Sequence, residues 1–345
     1  MFQTLGIAII ALIVSIIVLV KSSDIFIGAA SRLAKSFGVS EFVIGLTVVS
    51  MGTSLPELAT SIAASIKGDS GIVVGNIAGS NIANIGLILA IPLLFTIMKV
   101  GKKELDGVYM VIFSALLFLL FSTDFEISTA EAVILLLIFS LYMNGVFKVG
   151  KKLKEYQKYS ASIIKNRGLN GLISAHFLKI RGSGKDKEKN ISTIKALISL
   201  AIGIVFLAVS SKYTVISAID LSQMLKISQV TVAAVLIAIG TSLPELFVSI
   251  RGIKKGYKGL VFGNIIGSNI FNILAIGGVA GLIRSIEVSN VSLNFILPAM
   301  LLFSLALFFL LKKKKPMELG ISDGVILLAL YVIFVILLLK FSFVS

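Results

Sequence analysis

Long apolar runs recur from one end of the chain to the other, separated by short clusters of basic and small polar residues. Crossing the hydrocarbon core of a bilayer takes about 20 residues of helix. Ten runs fit, at 4–20, 41–66, 71–98, 106–122, 127–147, 193–211, 228–250, 258–283, 292–311 and 322–340. The pattern predicts an all-α polytopic membrane protein with ten transmembrane helices. The first run has no positive charge ahead of it and no small-residue cleavage site after Lys21, so it reads as a span rather than a signal peptide.

Composition agrees. Of the residues 57% are hydrophobic and only 14% charged, against about a quarter charged in soluble proteins. With an outside N-terminus, the loops on the cytoplasmic side hold 27 of the 32 Lys and Arg, as the positive-inside rule requires. Both termini are then expected outside the cell, in the plasma membrane. The same asymmetry accounts for the net charge of +15 through anionic lipid, and no nucleic-acid partner is implied. The basic segment 148–192 is the one long hydrophilic stretch and is expected in the cytoplasm. It reads as a linker, too short for a β-sandwich sensor of about 100 residues. It holds the lone histidine, His176, which reads as solvent-facing, and the chain has no cysteine. No His-Glu-x-x-His and no Gly-x-Ser-x-Gly occurs, so neither an enzyme nor a cofactor is expected, and no protein partner is implied.

The sequence repeats itself. A shift of 188 residues lays Gly52-Thr-Ser-Leu-Pro-Glu-Leu58 on Gly240-Thr-Ser-Leu-Pro-Glu-Leu246, with all seven residues identical. It also lays Gly75-Asn-Ile-Ala-Gly-Ser-Asn-Ile-Ala-Asn-Ile85 on 263–273, with nine of eleven identical, and Ser22-Ser23 on Ser210-Ser211. Each half, 1–147 and 193–345, then holds five spans. Five is odd, so the second half enters the membrane from the opposite side. Such inverted repeats place ion sites at their interface near the midplane.

Glu57 and Glu245 lie well inside the second and seventh spans. A charged side chain at a helix centre costs about 2.5–3.5 kcal/mol on the insertion scale and marks a functional position. Pro56 and Pro244 lack an N–H and clash with the carbonyls of Gly52 and Gly240, freeing backbone oxygens that a cation can take. Ser54-x-x-Glu57 and Ser242-x-x-Glu245 also match capping boxes, so each helix is expected to restart near its serine. The competing account is that the glutamates only cap kinked helices. It leaves the second motif unexplained. There, Asn76, Ser80 and Asn84 share one face of the third span, and Asn264, Ser268 and Asn272 repeat this in the eighth. Asn76 and Asn264 suit interhelical hydrogen bonding as well as ligation, and Gly75, Gly79, Gly263 and Gly267 suit close packing.

Calcium takes 6–8 oxygens and accepts bidentate carboxylates. Glu57 and Glu245 supply four, and the carbonyls of Thr53 and Thr241 two more. Ser54, Ser80, Ser242, Ser268, Asn84 and Asn272 add neutral oxygens suited to sodium. Only hard ligands are present, which disfavours copper and zinc. Two carboxylates balance one Ca²⁺ or two Na⁺, so the two ions are expected to bind alternately. A third Na⁺ on neutral ligands would make exchange electrogenic.

At these motifs the chain resembles the sodium/calcium exchanger branch of the cation/calcium antiporter superfamily, in both halves and in the same order. The resemblance implies ten helices, alternating access, and a diamond-shaped site with Glu57, Asn84, Glu245 and Asn272 at its centre. Thr53, Ser54, Ser80, Thr241, Ser242 and Ser268 surround these four. It also implies that Ser50 and Ala238 lend carbonyls to flanking sodium sites. The implied cargo is Ca²⁺ and Na⁺. Some members have an acidic residue at the position of Asn272, and proton-coupled members usually have a glutamate in the second motif. The rival expectations are a proton-coupled antiporter for calcium or another divalent cation, and a cation channel. Removal of most of 155–188 should leave transport unchanged in vesicle flux, and loss of flux would assign that loop a role.

Overall fold

The computed structural model describes residues 5–146, 193–224, 240–313 and 316–344. The basic segment 148–192 with His176, the first part of the seventh expected span and Ala238 lie outside the described residues. The helices are α1 (Leu5–Phe37), α2 (Glu41–Thr53), α3 (Leu55–Lys67), α4 (Ser70–Leu93), α5 (Lys102–Phe121) and α6 (Thr129–Val146) in the first half. The second half has α7 (Thr193–Met224), α8 (Leu243–Lys254), α9 (Lys258–Ile283), α10 (Ser292–Lys312) and α11 (Ile321–Val344). Among the described residues, eight helices are long and apolar enough to span a bilayer, and nine if the bent pair α2 and α3 counts as one.

The packing inverts the soluble pattern. Large apolar side chains such as Ile10, Leu141 and Phe309 are exposed on the outside, while Glu57, Glu245, Asn264 and Asn272 are buried. Outward apolar faces suit lipid, and buried polar groups there mark function. This is an integral membrane protein. α4 and α9 are the most enclosed helices, and α1 and α6 lie at the periphery.

Three expected boundaries shift by five residues or more. The first helix runs on past Lys21 to Phe37. Its second half packs Ala29, Ala30, Leu33 and Ala34 in one cluster with Ala196 and Leu200 of α7, and the charge of Asp24 is paired with Arg251 and Lys255. The sixth span likewise extends, to Met224. The third ends at Leu93 rather than 98, because Met98–Lys99 forms a strand.

The fold is therefore not purely α. Four two-residue strands, β1 (Met98–Lys99), β2 (Glu126–Ile127), β3 (Ile286–Glu287) and β4 (Glu318–Leu319), form two antiparallel ladders, β1 with β4 and β2 with β3. Each ladder joins the first half of the chain to the second, and β1 and β3 coincide under the 188-residue shift. Lys258 Nζ donates to the Ile97 carbonyl beside the first ladder at 2.9 Å.

Glycines bring α2 and α9 backbone to backbone. A Cβ added to Gly263 would fall against the Phe42 carbonyl, and one added to Gly45 against the Leu260 carbonyl. This contact sets the spacing between the two repeated motifs: Thr53 at the end of α2 and Ser54 just after it reach Asn264 and Ser268 of α9. α3 stops at Gly68, whose φ of 78° places it in the left-handed region while its N–H closes on Ala64 and Ser65.

Gly263→Val should lower thermal stability in a detergent melting assay by well over the ~1–3 kcal/mol typical of overpacking, because backbone cannot yield. Gly28→Ala, where a Cβ meets only the flexible end of Arg32 at 3.5 Å, should be neutral.

Candidate functional site

The second span breaks where proline requires. α2 and α3 meet at 46°. The backbone ladder closes with Ser54 N–H on the Ser50 carbonyl at 3.0 Å and reopens with Leu58 N–H on the Ser54 carbonyl at 3.1 Å. The carbonyls of Met51, Gly52 and Thr53 fall in the gap. In the second half Leu246 N–H bonds the Ser242 carbonyl at 3.1 Å as α8 begins, with Pro244 in its first turn.

The expected capping boxes do not form. Ser54 and Ser242 stand at the N-cap positions, yet neither side chain caps its own helix. They cross over instead. Ser54 Oγ donates to Glu245 Oε1 at 3.0 Å, and Ser242 Oγ donates to Glu57 Oε1 at 3.1 Å. Each serine thus serves the carboxylate of the other half. Ser54 Oγ also lies 3.0 Å from Ser268 Oγ, and Thr53 Oγ1 donates to Asn264 Oδ1 at 3.1 Å. The backbone bends first, the hydroxyls are released from capping, and a single interface forms from both motifs.

Asn84 and Asn272 are set by a second local feature. π-helical turns run over Asn84–Leu89 and Phe271–Ile276, at equivalent places in the two halves. Such single-turn widenings recur at functional sites. Both asparagines are 1% exposed, as are Glu57 and Glu245. One oxygen of each of the four has no hydrogen-bond partner: Glu57 Oε2, Glu245 Oε2, Asn84 Oδ1 and Asn272 Oδ1. Buried polar atoms are nearly always paired, so four orphans on repeat-related residues point to a ligand rather than to packing. No basic side chain among the described residues forms an ion pair with either carboxylate. No group of three or more His, Cys, Asp or Glu exists among them either. The arrangement therefore suits a cation held by two carboxylates and neutral oxygens, not a zinc-type cluster.

The remaining candidates divide. Ser80 and Ser268 are buried on the asparagine-bearing helices. Thr241 lies in the turn before α8 and lines a cleft. The Ser50 carbonyl already accepts Ser54 N–H, and Thr53 Oγ1 lies 3.3 Å from it. Ala238 lies outside the described residues. Asn76 acts as hydrogen-bonding support, donating to the Glu57 carbonyl at 2.9 Å and to Ser61 Oγ at 2.8 Å. Asn81 and Asn269 lie off the face that the spacing of the other asparagines defines. Both are buried, with Asn81 Oδ1 and both polar atoms of Asn269 unpartnered. Their identity under the repeat was the available signal.

Known proteins resemble the whole chain. It is 36% identical to the sodium/calcium exchanger MaX1 of Methanosarcina acetivorans over 342 residues, covering 95% of this chain and 97% of that one. It is 32% identical to the inner membrane protein YrbG of Escherichia coli, covering 95% of each. Among solved structures it matches the sodium-calcium exchanger NCX_Mj, soaked with 2.5 mM Na⁺ and 0.1 mM Ca²⁺, with a TM-score of 0.76 and 30% identity over 95% of this chain and 97% of that one. The family model described as sodium/calcium exchanger protein matches residues 7–148 and 195–340. The chain belongs to the sodium/calcium exchanger protein family.

Proposed function

We propose that the protein exchanges Na⁺ for Ca²⁺ across the cell membrane by alternating access. The ions compete for one site whose centre is Glu57, Asn84, Glu245 and Asn272, with oxygens from Thr53, Ser54, Ser80, Thr241, Ser242 and Ser268 around it. The observation that carries this is the set of four unpartnered buried oxygens on repeat-related residues. The names of MaX1 and NCX_Mj support the choice of ions.

The site follows from architecture. The proposed fold is two inverted five-helix repeats, 1–147 and 193–345, joined by a cytoplasmic loop at 148–192, with both termini outside. Crosswise Ser54–Glu245 and Ser242–Glu57 bonds and the two interhalf ladders are what an approximate two-fold between the halves would produce. Charge sets the stoichiometry. Two carboxylates take one Ca²⁺ or two Na⁺ to neutrality, and a third Na⁺ on neutral oxygens, with Ser50 and Ala238 lending carbonyls, would carry one net charge per cycle. Calcium fits because carboxylates and carbonyls in a flexible cage meet its demand for 6–8 oxygens.

Glu57→Gln and Glu245→Gln should each abolish exchange while leaving protein folded in the membrane, since either leaves one charge to balance a divalent ion. Labelled Ca²⁺ uptake in reconstituted vesicles measures this, and normal uptake by either variant would remove the assignment.

With voltage clamped by a potassium ionophore, uptake should require internal Na⁺ and respond to the clamped potential. Uptake driven by a pH gradient alone would instead favour proton coupling.

A further inference from the structure

Two clefts that the repeat makes equivalent are unlike. Between α3 and α7 lies a cavity of about 650 Å³, lined by Leu55, Pro56, Ala59, Lys212, Gly240 and Thr241 among others. It thus reaches a candidate site residue. The 188-residue shift carries this cleft onto α8 and α1. There Ala59 is replaced by Phe247, Thr60 by Val248, Val215 by Ile27 and Lys212 by Asp24. That second cleft is filled at its centre: Ile27 and Val248 are each 0% exposed, whereas their counterparts Val215 and Thr60 are half-buried.

An ion cluster bridges the filled cleft. Arg251 at the far end of α8 grips both Asp24 carboxylate oxygens, with Nε donating at 2.8 Å and Nη2 completing a bidentate pair. Lys255 Nζ lies 2.9 Å from Asp24 Oδ1 and also donates to the Asp24 carbonyl at 3.2 Å. Bidentate charge-assisted bonds are among the strongest and most directional in proteins. Asp24 and Arg251 side chains are each 28% exposed, so solvent screens part of the attraction. The open cleft has no counterpart. The residues equivalent to Arg251 and Lys255 are Ala63 and Lys67, which offer Lys212 no opposite charge, and no ion pair involves Lys212 among the described residues.

We infer that Asp24, clamped by Arg251 and Lys255, is a latch that holds the α1–α8 cleft shut while the α3–α7 cleft is open. Opening at the α1–α8 side requires its release. The inference rests on the alternating-access function proposed above and adds the residues that set its resting direction. Asp24, Arg251 and Lys255 position helices and touch no transported ion.

The chain has no cysteine, so single thiols report each cleft without background. Ala208→Cys reports the open cleft and Val248→Cys the closed one, labelled by a membrane-impermeant thiol reagent on protein in nanodiscs with both faces accessible. Asp24→Asn should raise labelling of the V248C thiol about fivefold and lower that of the A208C thiol, the shift expected when a partly screened ion pair of ~1 kcal/mol is lost. Arg251→Gln with Lys255→Gln should do the same, and adding Asp24→Asn to that pair should add nothing further, since one interaction has been removed. Unchanged labelling, additive effects, or a rise at both positions together would overturn the latch. Labelling needs no cargo: absence of Na⁺/Ca²⁺ exchange with the labelling shift intact would overturn the proposed function and leave the latch standing.

Discussion

Two carboxylates share a dehydrated interior with no basic side chain paired to them among the described residues. Isolated negative charge in such a place is very costly, so it is neutralised there either by a proton or by a cation that can arrive. Everything near Glu57 and Glu245 meets that constraint without cancelling it. Ser54 and Ser242 each give a carboxylate one hydrogen bond and leave its second oxygen bare. Asn84 and Asn272 contribute uncharged oxygens. A lysine at any of these places would settle the charge permanently and end exchange.

Backbone irregularity is the means. Within a regular helix each interior carbonyl is taken by the N–H four residues on and is not available to an ion. Proline at 56 and at 244 opens the ladder, while π turns at Asn84 and Phe271 disturb the regular turn where the amides stand. Such defects are tolerated inside a membrane only where they line a cavity or are buried in protein. Glycine supplies the burial, because Gly45 and Gly263 let α2 and α9 touch through their backbones.

The two halves carry the same motifs in different surroundings. Where the site requires equivalence, the residues match: Glu57 with Glu245, Asn84 with Asn272, Ser54 with Ser242. Where the flanking clefts are concerned they do not, since Ala59 answers to Phe247 and Lys212 to Asp24. A transporter needs both. Under the alternating access proposed above, matching chemistry at the centre would let one ion be held whichever side is open, and unequal flanks would make one closure more stable than the other.

Much of this was legible in the linear chain, and for a physical reason. A bilayer enforces long apolar runs and penalises buried charge, so spans, the broken second helix and the paired glutamates leave strong local signals. The 188-residue repeat added the equivalence of the two motifs. What only the tertiary structure decided concerns partners distant in sequence. Ser54 looks like the cap of its own helix because Glu57 stands three residues on, but its hydroxyl serves Glu245, which no local pattern can encode. The extension of α1 to Phe37 follows the same logic: the apolar run ends at residue 20, before Lys21, and the charge of Asp24 beyond it is met only by Arg251, far along the chain. Local propensity and the solvent write themselves into sequence, whereas the choice among polar partners is made only when the helices meet.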